Sequence, residues 1–235
     1  MTNFNHEGQP EGDWDDRGNL SWSELDWQKF LHRREKEIAR FLQLYDQCPT
    51  PSPERLDWVA RQMGWDTDDW SVTDFADEDE EDEDSGDDWQ EVGSEDSGTL
   101  DYDPYTLHRH PVYVVGTGLF LYLRYTWRRV LMEKKDAVDG LLSWDFAESL
   151  NEAEKHCLMA LQCMDMGDFL LCVVHMKRAL RGINLSMSLL PQLMRVSDGT
   201  EALHQGLLAR LFDLREVFLR VMQDCRDEDR RNYRD

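Results

Sequence analysis

Between Asp66 and Asp103 the chain carries 19 Asp and Glu residues and not one Lys or Arg. A segment of that charge repels itself. It also offers few aliphatic groups whose burial would offset the entropy of ordering a chain. It is therefore expected to be a disordered linker that stays outside any core. The fold has to be built from the flanking pieces, residues 20–65 and 104–235, and residues 1–19 read as a polar, disordered tail.

The charge divides along the same boundaries. The 235-residue chain has a formal net charge of −23, of which residues 66–103 contribute −19 and residues 1–65 contribute −4. Residues 104–235 balance 18 acids against 18 bases. A field of this sign repels nucleic acid and anionic lipid and attracts basic surfaces. The expected partner is thus a basic protein, and direct nucleic-acid binding is not expected. The longest charge-free apolar run, residues 111–123, ends at Arg124 and falls short of the roughly 20 residues that span a bilayer. The N-terminus lacks the basic start and apolar stretch of a signal peptide. The five cysteines contain no C-x-x-C pair, which argues against a zinc site or a disulfide framework. A cytoplasmic or other reducing compartment is expected.

The flanking pieces read as helices. Ser21 with Glu24 has the spacing of a capping box, and Trp27, Phe30, Leu31, Ile38, Phe41, Leu42 and Tyr45 follow at helical intervals to about Gln47. Ser52 and Pro53 open a second helix with Leu56, Val59, Ala60 and Met63 on one face, and Gly64 stops it. Two such short helices bury little surface alone, so they are expected to dock on the C-terminal part or on a partner. Pro111 begins a helix that is apolar nearly all round to about Lys135, with a strand at Val112–Val115 as the competing reading. Gly116 and Gly118 inside it imply close approach of a neighbouring helix. The next helix runs from about Leu142 to Met166, and another from Phe169 to Leu190, stopping before Pro191. Gly167-Asp168 between these two forces an antiparallel pair. A last helix capped by Thr200 carries Leu207, Leu211, Leu214, Phe218, Val221 and Cys225 at heptad spacing, and its charged end is expected to fray. The fold class is all-α, with an up-down four-helix bundle over residues 104–235.

The chemistry is sparser. Residues 167–180 are similar to half of a tetratricopeptide hairpin, but no second copy follows at the repeat period. A dinuclear carboxylate site in a bundle needs paired Glu-x-x-His motifs, and only Glu201-x-x-His204 has that form. His156 and His175 complete a weak set of metal candidates, and no cofactor is expected. Asp82-x-Asp84 starts like a calcium loop, yet its glycine, Gly86, is one position early. His108 and His110 flank Arg109 at a helix start, where His110 reads as a cap. Arg124, Arg128, Arg129, Lys177, Arg178 and Arg181 form a candidate anion patch that the acidic segment itself has the charge to cover. No nucleophile elbow, P-loop or dinucleotide fingerprint occurs.

The acidic segment holds the most specific signal. Trp70, Phe75 and Trp89 sit around the run Asp77, Glu78, Asp79, Glu80, Glu81, Asp82, Glu83 and Asp84. A solubilising spacer has no use for large aromatics. Acids speed a steered encounter with a basic surface and rings supply buried area, so this composition suits partner binding. The expected function is a non-enzymatic interaction or adaptor protein. A metal-binding bundle and a homo-oligomeric structural subunit are the alternatives.

Overall fold

A computed structural model describes residues 22–49, 54–65, 106–133, 138–194 and 201–232. Among these residues are six α-helices and a 3-10 turn at Leu107–Arg109: α1 (Glu24–Gln47), α2 (Glu54–Met63), α3 (Pro111–Glu133), α4 (Gly140–Asp165), α5 (Phe169–Met194) and α6 (Glu201–Asn232). The protein is all-α. No strand forms at residues 112–115, which lie inside α3 with Val112, Val114 and Val115 buried. Among the described residues no helix is long and apolar enough to cross a membrane.

Helices α3 to α6 form an up-down four-helix bundle. Each of these helices packs on the next, and α6 closes the ring on α3. Trp127 meets Phe146 between α3 and α4, Ser149 meets Ser186 between α4 and α5, Cys172 meets Cys225 between α5 and α6, and Phe120 stacks near Phe218 between α3 and α6. Every neighbouring pair is antiparallel. The tightest seam is α4 against α5, where Gly182 lies so close to Ser149 that an added Cβ would sit 2.7 Å from a backbone oxygen.

The α4–α5 turn follows from three residues. Gly167 takes φ +77, which costs little only for glycine. Its N–H reaches the Met164 carbonyl at 2.9 Å and the Asp168 N–H reaches Cys163 at 2.8 Å, a Schellman closure. Asp168 then caps α5 by accepting from the Leu171 N–H at 3.0 Å.

The helical pair α1–α2 docks on this bundle and shares its core: Ile38, Phe41, Tyr45, Leu56, Val59 and Ala60 are buried in the same cluster as α3 and α6. Helix α1 runs parallel to α3. Phe30 meets His108 near the start of α3, and further along Phe41 fills the space over Gly118, where a Cβ would approach its ring to 2.9 Å. Of the two glycines in α3, Gly118 admits α1 and Gly116 admits Cys157 of α4, whose Sγ lies 3.4 Å from a Cβ position. Helix α2 folds back over α6, and its end copies the α4–α5 device: Gly64 at φ +84, with the Trp65 N–H on the Ala60 carbonyl at 3.0 Å. Trp65 is thereby laid near Phe41, their centroids 6.3 Å apart.

Several helix ends differ from the sequence reading. The cap of α1 is Ser23, not Ser21: Ser23 and Asp26 exchange both capping-box hydrogen bonds. Trp22 and Trp27, centroids 5.0 Å apart, form the hydrophobic staple that fixes this choice. Helix α4 starts two residues early at Gly140, because Asp139 accepts from the Leu142 N–H at 2.9 Å. Helix α5 does not stop before Pro191 but continues to Met194. Pro191 lies in the last turn, where its missing N–H forfeits one bond, and buried Leu190 and Leu193 hold that turn in place. The charged end of α6 stays helical to Asn232, supported by Arg230–Asp227 at 2.7 Å and Arg231–Glu228 at 3.0 Å. The Ser52, Pro53 and Thr200 helix starts, the tail at 1–19 and the segment 66–103 lie outside the described residues.

Candidate functional site

A buried polar seam fixes the α1–α2 pair to α6. Asp213 is fully buried, and its Oδ2 accepts from the Tyr45 hydroxyl. Arg55 of α2 joins both, its NH1 donating to the Tyr45 oxygen at 2.9 Å and lying 3.3 Å from Asp213 Oδ2. Burial, followed by the Asp213 charge, pushes the Tyr45 phenol far above its ordinary pKa, so the phenol stays a donor. Beside it, buried Arg210 pairs with Asp46 and lies 3.5 Å over the Tyr122 ring, a cation–π contact. Further along α6, Arg220 pairs with Asp57 of α2. A carboxylate in a core costs several kcal/mol in lost hydration unless it is paired, so this constellation specifies one docking geometry for α1 and α2. Its groups face one another across helix interfaces, an arrangement suited to holding structure.

The metal candidates fall into two places. His156 of α4 and His175 of α5 meet, with their Nδ1 atoms 3.0 Å apart, and Glu152 Oε2 lies 3.8 Å from His156 Nε2. Burial, then His175 and the nearby Lys155 and Arg178 charges, lowers the His156 pKa. Glu201 and His204 sit at the start of α6, at the bundle end opposite the α4–α5 turn. The four residues do not converge. Among the described residues no three His, Cys, Asp or Glu side chains gather as a metal site requires.

The six basic residues of the sequence-level patch also divide. Arg124, Arg128 and Arg129 lie on α3, whereas Lys177, Arg178 and Arg181 lie on α5, its diagonal partner in the ring. Arg124 is engaged by Glu154 of α4, and Arg129 by Glu133 at 2.9 Å. Arg128, Lys177, Arg178 and Arg181 are exposed. At the start of α3, His110 acts as the cap that the sequence suggests: its Nδ1 accepts from the Val112 N–H at 3.0 Å. Burial pushes its pKa down to about 4.

The aromatic and acidic residues 70, 75, 77–84 and 89 lie outside the described residues. The flanks of their segment are described, however, and both belong to one body. Trp65 is packed near Phe41 at the level of Gly118, and Thr106 leads directly into the turn before α3. Along the α3 axis these two points are separated by about twelve residues of rise, roughly 20 Å.

The polar seam was missed in the sequence. Its signal is there in α6: Arg210 and Asp213 interrupt the apolar series Leu207, Leu211, Leu214 and Val217 on the inward side of the helix, where a charge needs a partner. The His156–His175 meeting was readable too, because a hairpin turning at Gly167 brings those positions level. No family model, curated protein or solved structure matches the chain.

Proposed function

We propose that this chain is a non-enzymatic interaction protein whose helical body presents residues 66–103 to a basic protein partner. The acidic run Asp77 to Asp84 supplies attraction and orientation, and Trp70, Phe75 and Trp89 supply the buried contact area. A reducing compartment fits the four buried cysteines, Cys157, Cys163, Cys172 and Cys225, which remain thiols.

The observation that carries this reading is the length of the segment against the gap it bridges. Both flanks are anchored on one body, about 20 Å apart along α3, a distance that roughly six extended residues span. The chain uses the 40 residues from 66 to 105, of which 19 are acidic, none is basic and several are aromatic. A simple connector needs neither the length nor the rings.

Capture of binding proteins by the intact chain and by a chain lacking residues 77–96 tests the proposal. The shortened loop still spans the gap, so the body is expected to fold in both. The expected result is loss of a basic partner on deletion at moderate salt. Recovery of the same partner at the same level by the shortened chain would overturn it.

A further inference from the structure

Helix α1 covers only part of the α3 face on which it lies. Stepping by three and four residues from Val114, that face continues through Gly118 and Leu121 to Tyr125, Arg129 and Met132. Phe41 and Ile38 cover Gly118, and Tyr45 lies level with Tyr122, since Arg210 stacks on both rings. Helix α1 then ends at Gln47. Beside and beyond that end Leu121 is 46% exposed, Tyr125 69% and Met132 70%, an unusual cluster for one helix face. Arg128 and Arg129 are exposed among them, and among the described residues Arg128 has no ionic partner. The face is apolar, aromatic and cationic at once.

We propose that this uncovered half of α3 is a docking surface for the chain's own acidic segment, residues 66–103, so that α3 and the basic partner compete for that segment. The inference rests on the interaction reading given above and adds its regulation. Three features select this occupant. The segment carries 19 acids, no bases, and the aromatic residues that a mixed apolar and cationic face accepts. Its flanks lie within reach: Trp70 is five residues from Trp65, up to about 17 Å of chain, against roughly 10 Å of axial rise from Gly118 to Tyr125. Phe75, ten residues out, reaches about 33 Å, enough to bring the acids that follow it over Arg128 and Arg129. Being joined at both ends to the same body, the segment also has an effective concentration that a separate acidic chain must match, on the order of millimolar. The patch on α5 around Lys177, Arg178 and Arg181 has charge but lies on the diagonal helix and is a poorer match.

Photocrosslinking in the purified full-length protein tests this without any partner present. A photoreactive benzoylphenylalanine replaces Trp70, and adducts are mapped by peptide mass. The expected adduct lies within residues 121–133, at a yield independent of protein concentration. It should fall about tenfold in an Arg128→Glu, Arg129→Glu variant, the scale of two lost attractions and two new repulsions at a surface. Both positions are exposed, so the variant should keep its helical content and melting temperature. An adduct spread over the body, or one between two copies that rises with concentration, overturns the proposal. So does a yield that the double variant leaves unchanged. Partner capture by the same double variant separates the two readings. Loss of the internal adduct with partner capture kept or raised supports both, whereas loss of capture on deleting residues 77–96 with no internal adduct supports the interaction function alone.

Discussion

Tyr45 and Asp213 are 168 positions apart in sequence, yet the phenol of α1 donates to the buried carboxylate of α6. With Arg55 on the same oxygens, this contact decides where the N-terminal helices sit and therefore where the acidic segment leaves the body. Removing one partner strands a buried charge or dipole. Asp213→Ala is expected to destabilise the fold by roughly 3 kcal/mol and Tyr45→Phe by about 2 kcal/mol. The double variant should cost less than the sum, because each change removes the same interaction. Urea unfolding of the four proteins measures the coupling, and strict additivity would show that the contact contributes nothing of its own.

Two glycines on helices make a paired test of packing. At Gly182 a Cβ would meet the Ser149 backbone oxygen at 2.7 Å and the Ala153 Cβ at 2.9 Å, and backbone cannot swing aside. Gly182→Ala should therefore destabilise by about 2 kcal/mol or more despite the better helix propensity of alanine. At Gly140 nothing lies within 4 Å of the Cβ position. Gly140→Ala should be neutral or mildly stabilising, within about 1 kcal/mol. Thermal melting of both variants checks the contrast.

Acid should loosen the start of α3. His110 is buried and neutral, accepts from the Val112 N–H, and has its pKa lowered by burial from 6.5 to about 4. The unfolded chain takes up that proton first as pH falls. The stabilising contribution is thus complete above pH 6.5 and is lost as pH drops toward 4, by up to roughly 3 kcal/mol. His108 and His156, both also lowered with burial as the leading cause, add in the same direction. His110→Asn keeps a capping acceptor without the titration. Its stability should vary less between pH 6.5 and 4 in denaturant titrations than that of the parent.

Thiol reactivity should separate the cysteines cleanly. Cys48 is only partly buried, while Cys157, Cys163, Cys172 and Cys225 are buried. Burial, with a smaller contribution from Glu154, pushes the Cys157 thiol up to about 12, so little thiolate is available to react. In the native protein one cysteine is expected to label rapidly with an aromatic disulfide reagent, and the remaining four only after unfolding.

Much of the fold is legible in local sequence because punctuation here is strong. Gly167-Asp168 and Pro111 mark their helix ends, and the apolar steps along α4 and α6 identify the faces that become core. The start of α1 was not decided locally. Ser21 precedes Glu24 and Ser23 precedes Asp26 at the same spacing, and the choice falls to packing between Trp22 and Trp27. Pro191 misleads for a similar reason: a local stop signal is overridden by the burial of Leu190 and Leu193. The docking of α1 on α3 was visible only as a requirement that Gly118 face something, and Phe41 proves to be its occupant. The division of the basic patch between α3 and α5 needs the order of helices around the ring, which no local pattern contains.

The acidic, aromatic segment, rather than the helical body, is proposed to engage the partner. The most direct measurement compares partner affinity for the intact chain with that for a Trp70→Ala, Phe75→Ala, Trp89→Ala variant, at moderate salt and with every acid retained. The expected result is a loss of about a hundredfold or more, at 1 kcal/mol or above for each ring removed from a partner groove. Equal affinity in the two proteins, or equal affinity in the chain lacking residues 77–96, would contradict the claim.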